Sequence, residues 1–172
     1  TVLKGPRCDA GKDALVYVGA TDKALVACLA AHPKAMTLRI TSLGGPVTQA
    51  IASARVVAAR GMSVEVAGFC GSSCGNYIAA AATRLDVLPD SVIMLHGAPL
   101  AGREAQRAQA VAAFEQAGIP DDQLTDAVLD QAVAELQAQR ALHDGFAADF
   151  AVGREWYDLT AYRRATQDQP DD

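Results

Sequence analysis

The chain has 172 residues, a net charge of −5 and an isoelectric point near 5.1. That length suffices for one domain with a sizeable hydrophobic core. The acidic balance and scattered arginines argue against a nucleic-acid surface, and no apolar run reaches membrane-spanning length. Hydrophobic residues make up 51% of the chain but aromatics only 5%. Alanine supplies much of the remainder and favours closely packed helices, so an α-rich α/β protein is expected.

Ala14 to Val18 reads as a buried strand ended by Gly19. Thr21 or Asp22 is placed to cap a helix from about Lys23 to Ala31, stopped at His32-Pro33. Thr37 to Thr41 forms a second strand, and Val47 to Arg60 a helix closed by Gly61. A third strand covers Ser63 to Ala67, followed by a helix from Ser73 to Ala82. Arg84 to Leu88 and Val92 to Leu95 are short strands around Pro89-Asp90. Strands and helices that alternate through short connections imply βαβ crossovers and a mainly parallel sheet. From Arg103 onward the pattern is helical. One amphipathic segment runs to Ala117, a second from Asp121 or Asp122 to about His143, and a short helix is expected between Trp156 and Ala165. Residues 166–172 read as a frayed tail. No linker separates the α/β core (14–100) from the helical layer (103–165), so a single domain is expected. No signal peptide is expected.

The four cysteines are Cys8, Cys28, Cys70 and Cys74. Cys70 and Cys74 share one tight turn, while Cys8 and Cys28 both precede the first glycine pair. This suits two local disulfides in an oxidising compartment. The alternative is four buried thiols packed as small hydrophobes. Neither spacing matches a zinc site.

Three strand ends carry chemistry. The run Thr37-Leu38-Arg39-Ile40 leads into Ser42-Leu43-Gly44-Gly45-Pro46, whose glycines leave backbone N–H groups open beside a helix start. The stretch Gly68-Phe69-Cys70-Gly71-Ser72-Ser73-Cys74-Gly75 places two serines where a helix begins. One serves as a cap and the other as a nucleophile candidate favoured by the helix dipole. The strand Val92 to Leu95 ends in His96, a base candidate. A hydrolase working through an acyl-enzyme needs a hydroxyl, a base and oxyanion donors in one place. No lysine-serine or lysine-threonine pair follows the glycines, which argues against a phosphate loop. His32 and His143 lack such company. Asp149, Glu155 and Asp158 are the carboxylates in the region where a histidine-orienting acid is expected, and none has a motif to recommend it.

The ordered set Ser42-Leu43-Gly44-Gly45, Gly68 to Gly75, Leu88-Pro89-Asp90-Ser91 and His96-Gly97-Ala98-Pro99 resembles the ClpP/crotonase superfamily, and most of all its ClpP-like serine peptidases. The Cys-x-Ser-x-Cys loop is similar to that of a bacterial, periplasmic branch. The resemblance covers roughly residues 14 to 100. It implies stacked ββα units with a mainly parallel sheet and a helical C-terminal layer. It also implies Ser72 as nucleophile, counted from Gly68, with Ser73 the alternative when counted back from His96. His96 would be the general base, and the N–H groups of Gly45 and Ser73 the oxyanion donors. Further implications are a peptide or protein substrate, no cofactor, a homo-oligomer, and a periplasmic or secreted location, with a cytoplasmic one as alternative. Leu43 stands where the family has proline, and the family's aspartate falls near Trp156. Two other readings stay open: a ClpP-like binding or assembly module without catalysis, and a crotonase-type enzyme acting on acyl-coenzyme A.

Overall fold

The computed structural model describes residues 5–157, apart from the side chains of Arg154 and Glu155. It divides into two compact units, one of residues up to 97 with those from 150 onward, the other of residues 98–149.

The first unit is built on a six-stranded sheet. Its strands are β1 (Arg7–Ala10), β2 (Leu15–Val18), β3 (Thr37–Ser42), β4 (Ser63–Gly71), β5 (Arg84–Val87) and β6 (Val92–Met94). The path β1-β2-β3-β4-β5 follows chain order, and β6 pairs with β4. All pairings are parallel except that of β1 with β2. The fold is therefore mixed α/β with a mainly parallel sheet, as the alternating pattern implies. Sequence reasoning missed β1, whose four residues show no apolar alternation and are mostly exposed.

Helices α1 (Lys23–Ala31) and α2 (Val47–Ala59) make the crossovers and pack on one another. Each parallel strand lies beside its predecessor, so right-handed crossovers bring both helices to the same face of the sheet. Asp22 is the N-cap of α1, its Oδ1 accepting from the Ala24 N–H at 2.8 Å. At the other end of α1, Arg60 donates from Nη1 to the carbonyls of Leu29 and His32, at 3.0 and 3.2 Å. Those carbonyls lie where a helix runs out of its own donors. Leu25, Leu29, Leu38, Ile40, Val57 and Val64 are fully buried between helices and sheet. Burial of each such side chain contributes about 1.5–3 kcal/mol.

Strand β4 positions the site. It extends four residues beyond the expected end at Ala67, to Gly71. Its first half pairs with β5 (Val66 beside Val87) and its last residues with β6 (Phe69 beside Val92). Between them the register against β3 jumps: Ile40 faces Val66, but Ser42 faces Cys70. Gly68 takes a φ of +84° within that bend, a conformation that side chains other than glycine's disfavour. The sheet forks here, and the chain leaves the fork at Ser72.

Two disulfides tie this unit, Cys8 to Cys28 and Cys70 to Cys74. The first anchors the edge strand β1 to α1 and the second spans the turn carrying Ser72 and Ser73. These are the local pairs that the cysteine spacing suggests, and they are compatible with an extracellular or periplasmic location.

The second unit contains α3 (Arg103–Gln116), a 3-10 turn (Asp121–Gln123) and α4 (Asp126–Asp149). Gly118 at φ +74° ends the first helical segment. The second helix starts later and ends later than the sequence suggests, because the acidic pair at Asp121 forms the 3-10 turn instead. Ala110, Leu129, Val133 and Phe146 are its buried apolar residues. The chain then returns to the first unit through α5 (Arg154–Tyr157). The rest of the helix expected over Trp156 to Ala165, and the tail 166–172, lie outside the described residues. Among the described residues no helix is long and apolar enough to cross a membrane.

Candidate active site

The fork at the end of β4 brings the three predicted strand ends together. Ser72 Oγ lies 3.0 Å from His96 Nε2. Ser72 has a φ of +55°, in the left-handed region that residues with side chains rarely occupy. Outliers of this kind cluster at functional sites, because the surrounding structure must hold them in place. Here the hold is visible. The Ser72 N–H donates to the Met94 carbonyl at 3.0 Å, the Ser72 carbonyl accepts from the Asn76 N–H at 2.8 Å, and the Cys70–Cys74 disulfide closes the turn.

Gly44 makes the approach of β3 possible. A Cβ at this position would stand 2.7 Å from Ser72 Cβ and 2.8 Å from the Gly71 carbonyl oxygen, and its φ is +98°. Gly45 is equally enclosed, since a Cβ there would meet the Thr21 N and Oγ1 at 3.0 Å. The glycine pair therefore seats the Ser72 turn against β3 and the segment leading into α1 rather than forming a plain turn.

The two serines separate clearly. Ser73 is 1% exposed, and its hydroxyl donates to the Gly45 carbonyl at 2.8 Å. The same Oγ accepts from the Gly45 N–H at 2.8 Å and lies 2.7 Å from Thr21 Oγ1. It is fully engaged in joining three segments. Ser72, half-buried, is the serine that faces the imidazole. The Gly45 N–H, expected as an oxyanion donor, is bonded to Ser73 Oγ, and the Gly44 N–H to Ser42 Oγ at 3.1 Å. An oxyanion at Gly45 would have to displace a hydroxyl.

The helix expected from Ser73 to Ala82 is a π-helix over Cys74–Ala79. Such a turn frequently marks a functional site and disturbs the ordinary pattern of carbonyl partners. Gly75 packs it tightly on β6, where a Cβ would reach 2.9 Å from the Met94 carbonyl oxygen. Two carbonyls of the π-helix accept side-chain donors from α5. Trp156 Nε1 donates to the Gly75 carbonyl at 3.2 Å and Tyr157 Oη to the Asn76 carbonyl at 3.0 Å. Burial pushes the Tyr157 phenol above its ordinary pKa, with the neighbouring Tyr77 adding to the effect.

Asn76 is a site residue that sequence reasoning missed. It is 0% exposed, and its Nδ2 donates to the Gly97 carbonyl at 2.8 Å. The same nitrogen is 3.5 Å from His96 Nδ1, while Oδ1 has no hydrogen-bond partner. An asparagine inside an alanine-rich helix was the available signal, since that residue ordinarily prefers caps and turns. Of the three carboxylates considered for orienting His96, Asp149 ends α4 in the second unit. The Glu155 side chain and Asp158 lie outside the described residues. His32 and His143 are not part of this cluster. Among the described residues no group of histidine, cysteine, aspartate and glutamate is arranged to hold a metal.

Beside Gly44 a cleft of about 380 Å³ opens between the ends of β2, β3 and β4. Its apolar lining includes Pro6, Val18, Ala20, Leu43 and Phe69, and Leu43 is 70% exposed.

No protein-family model matches the sequence, and no curated protein matches it. Among solved structures, an enoyl-CoA hydratase from Mycobacterium avium subsp. paratuberculosis K-10 aligns over 99% of this chain and 96% of its own. The identity is 15% and the TM-score 0.42.

Proposed function

We propose that the protein is a serine hydrolase of the ClpP-like kind that cleaves peptide bonds through an acyl-enzyme on Ser72. The observation that carries this reading is the 3.0 Å contact between Ser72 Oγ and His96 Nε2 on a turn where Ser72 is held at positive φ. Ser72 Oγ attacks the peptide carbonyl carbon as His96 Nε2 takes the hydroxyl proton. His96 then delivers that proton to the leaving amine nitrogen. Water enters, gives a proton to His96 and attacks the acyl carbon, which releases a carboxylate and restores the serine. The N–H groups of Gly45 and Ser73 are the proposed oxyanion donors, with Ser73 Oγ yielding the Gly45 N–H when the oxyanion forms. The apolar cleft beside Gly44 suits an apolar side chain of the substrate. The two disulfides favour work in the periplasm or outside the cell, and the family resemblance adds a homo-oligomer.

A second reading is a ClpP-like binding module without catalysis. Asn76 favours it, because an amide rather than a carboxylate stands at His96 Nδ1.

Hydrolysis of chromogenic peptides and esters with apolar side chains separates the two. The hydrolase reading expects turnover that falls about a thousandfold or more in Ser72→Ala and in His96→Ala. Equal rates for the native protein and Ser72→Ala would sink it.

A further inference from the structure

The nucleophile and base are in contact, but the group behind the base has the wrong polarity for a triad. In a serine triad a carboxylate accepts the Nδ1 proton of the histidine, leaving Nε2 with the lone pair that receives the serine proton. Here the group facing His96 Nδ1 is the Asn76 amide nitrogen, a donor. Its orientation is fixed by its neighbour. The amide nitrogen also lies 2.8 Å from the Gly97 carbonyl oxygen, so turning the amide over would set two acceptors against each other. The helix that carries Asn76 is itself held, since Tyr157 bonds the Asn76 carbonyl and Trp156 the Gly75 carbonyl.

We propose that Asn76 is a positioning residue that holds His96 in the tautomer protonated on Nε2, so that the Ser72–His96 pair rests assembled but unprimed. In that tautomer Nδ1 accepts from Asn76 and Nε2–H donates to Ser72 Oγ, which leaves no lone pair to take the serine proton. Priming moves the neutral ring to its other tautomer, in which Nδ1 carries the proton and Nε2 is free. The Asn76 Oδ1 is the buried acceptor left over for that state, for it has no hydrogen-bond partner at rest. Bringing it to His96 Nδ1–H requires the amide to turn away from the Gly97 carbonyl, and the loss of that bond is what keeps the resting tautomer favoured. Atoms and charge balance, because one proton leaves Nε2 through solvent at the exposed ring and one is gained at Nδ1. This inference rests on the hydrolase reading for its consequence, but the tautomer is measurable without activity.

The test is nitrogen-15 long-range correlation spectroscopy of the histidine-labelled full chain, with the three histidines assigned by His32→Gln and His143→Gln. An unconstrained neutral imidazole is a mixture of tautomers. Native His96 is expected as the Nε2–H form alone. In Asn76→Leu, which removes the donor, the mixture should return. In Asn76→Asp, which supplies an acceptor, the Nδ1–H form should dominate, and fluorophosphonate labelling of Ser72 should rise about tenfold or more. A native mixture, a native Nδ1–H form, or identical spectra in native protein and Asn76→Leu would overturn the proposal. If the buried carboxylate prevents Asn76→Asp from folding, the native and Asn76→Leu spectra decide alone. Tautomers that change as stated while no protein labels would leave the positioning role intact and defeat the hydrolase reading.

Discussion

In the sheet-bearing unit, several polar side chains turn onto backbone, alongside surface pairs such as Arg39–Glu65 and Arg84–Asp86. Arg60 closes the end of α1, Tyr17 Oη donates to the Ala20 carbonyl at 2.7 Å, and Ser73 joins Gly45 to Thr21. In the helical unit, they mostly turn to one another at the surface. Arg103 pairs with Asp130, Arg107 with Asp126 and Asp130, and Arg140 with Asp144. Bonds of the first kind satisfy buried or half-buried groups, so each is costly to lose. Pairs of the second kind are exposed and individually contribute at most about 1 kcal/mol. Ser72, His96 and Asn76 all lie in the first unit. Strained backbone such as Ser72 needs surroundings that over-determine it.

The largest expected effect is alkaline. Burial pushes the Tyr17 and Tyr77 phenols up to about 12, and Asp22 adds to the shift at Tyr17. Because the folded values are raised, this stability is fully present below pH 10 and is lost as pH rises from 10 toward 12. The two shifts act in the same direction and, discounted for solvent screening, together amount to a few kcal/mol at most. Tyrosinate absorbance and circular dichroism followed through that window should show cooperative unfolding. Residues 98–149 contain no tyrosine, so the loss belongs to the sheet unit. Independent phenol titration near pH 10 with no unfolding would break the contrast.

The disulfides come next. Cys8–Cys28 spans 20 residues of sequence and Cys70–Cys74 only 4. Loop closure then gives about 3 kcal/mol for the first and about 2 kcal/mol for the second. Urea unfolding of Cys8→Ser with Cys28→Ser should show the greater loss of stability. Cys70→Ser with Cys74→Ser should lose less but slow the labelling of Ser72 by about tenfold, as the turn relaxes from positive φ. Equal labelling in both double variants would show that the second disulfide does not hold Ser72 in place.

The smallest effect is acidic and lies in the helical unit. Arg140 donates from Nε to both oxygens of Asp144 at 2.8 and 2.9 Å, holding that carboxyl below its usual range. With the folded value depressed, the stability is present above the ordinary carboxylate pKa and fades as pH falls through the lowered one. For so exposed a pair Asp144→Asn should cost less than about 1 kcal/mol at neutral pH. Paired urea titrations at neutral and strongly acidic pH would show the difference vanish.

Much of the framework is legible in the sequence because its signals are local. Glycine ends β2, Asp22 caps α1, and the apolar runs at Thr37 and Ser63 are strands where expected. Ser72 and His96 are legible too, since each follows a short apolar run and parallel strands bring such ends together. What escaped depends on non-local geometry. The bend that carries β4 past Ala67 is stabilised by a change of partner strand, and the π-helix by packing of Gly75 on β6. The inward aim of Asn76 follows from both. The assignment of Ser73 to a structural hydroxyl required the position of Thr21, which lies 52 residues away in sequence.

The measurement that bears most directly on the central claim is to treat the protein with a fluorophosphonate probe and locate the adduct by peptide mass spectrometry. The account predicts an adduct on Ser72, absent in Ser72→Ala and retained in folded Ser73→Ala. An adduct on Ser73, or none on the native protein, would contradict it.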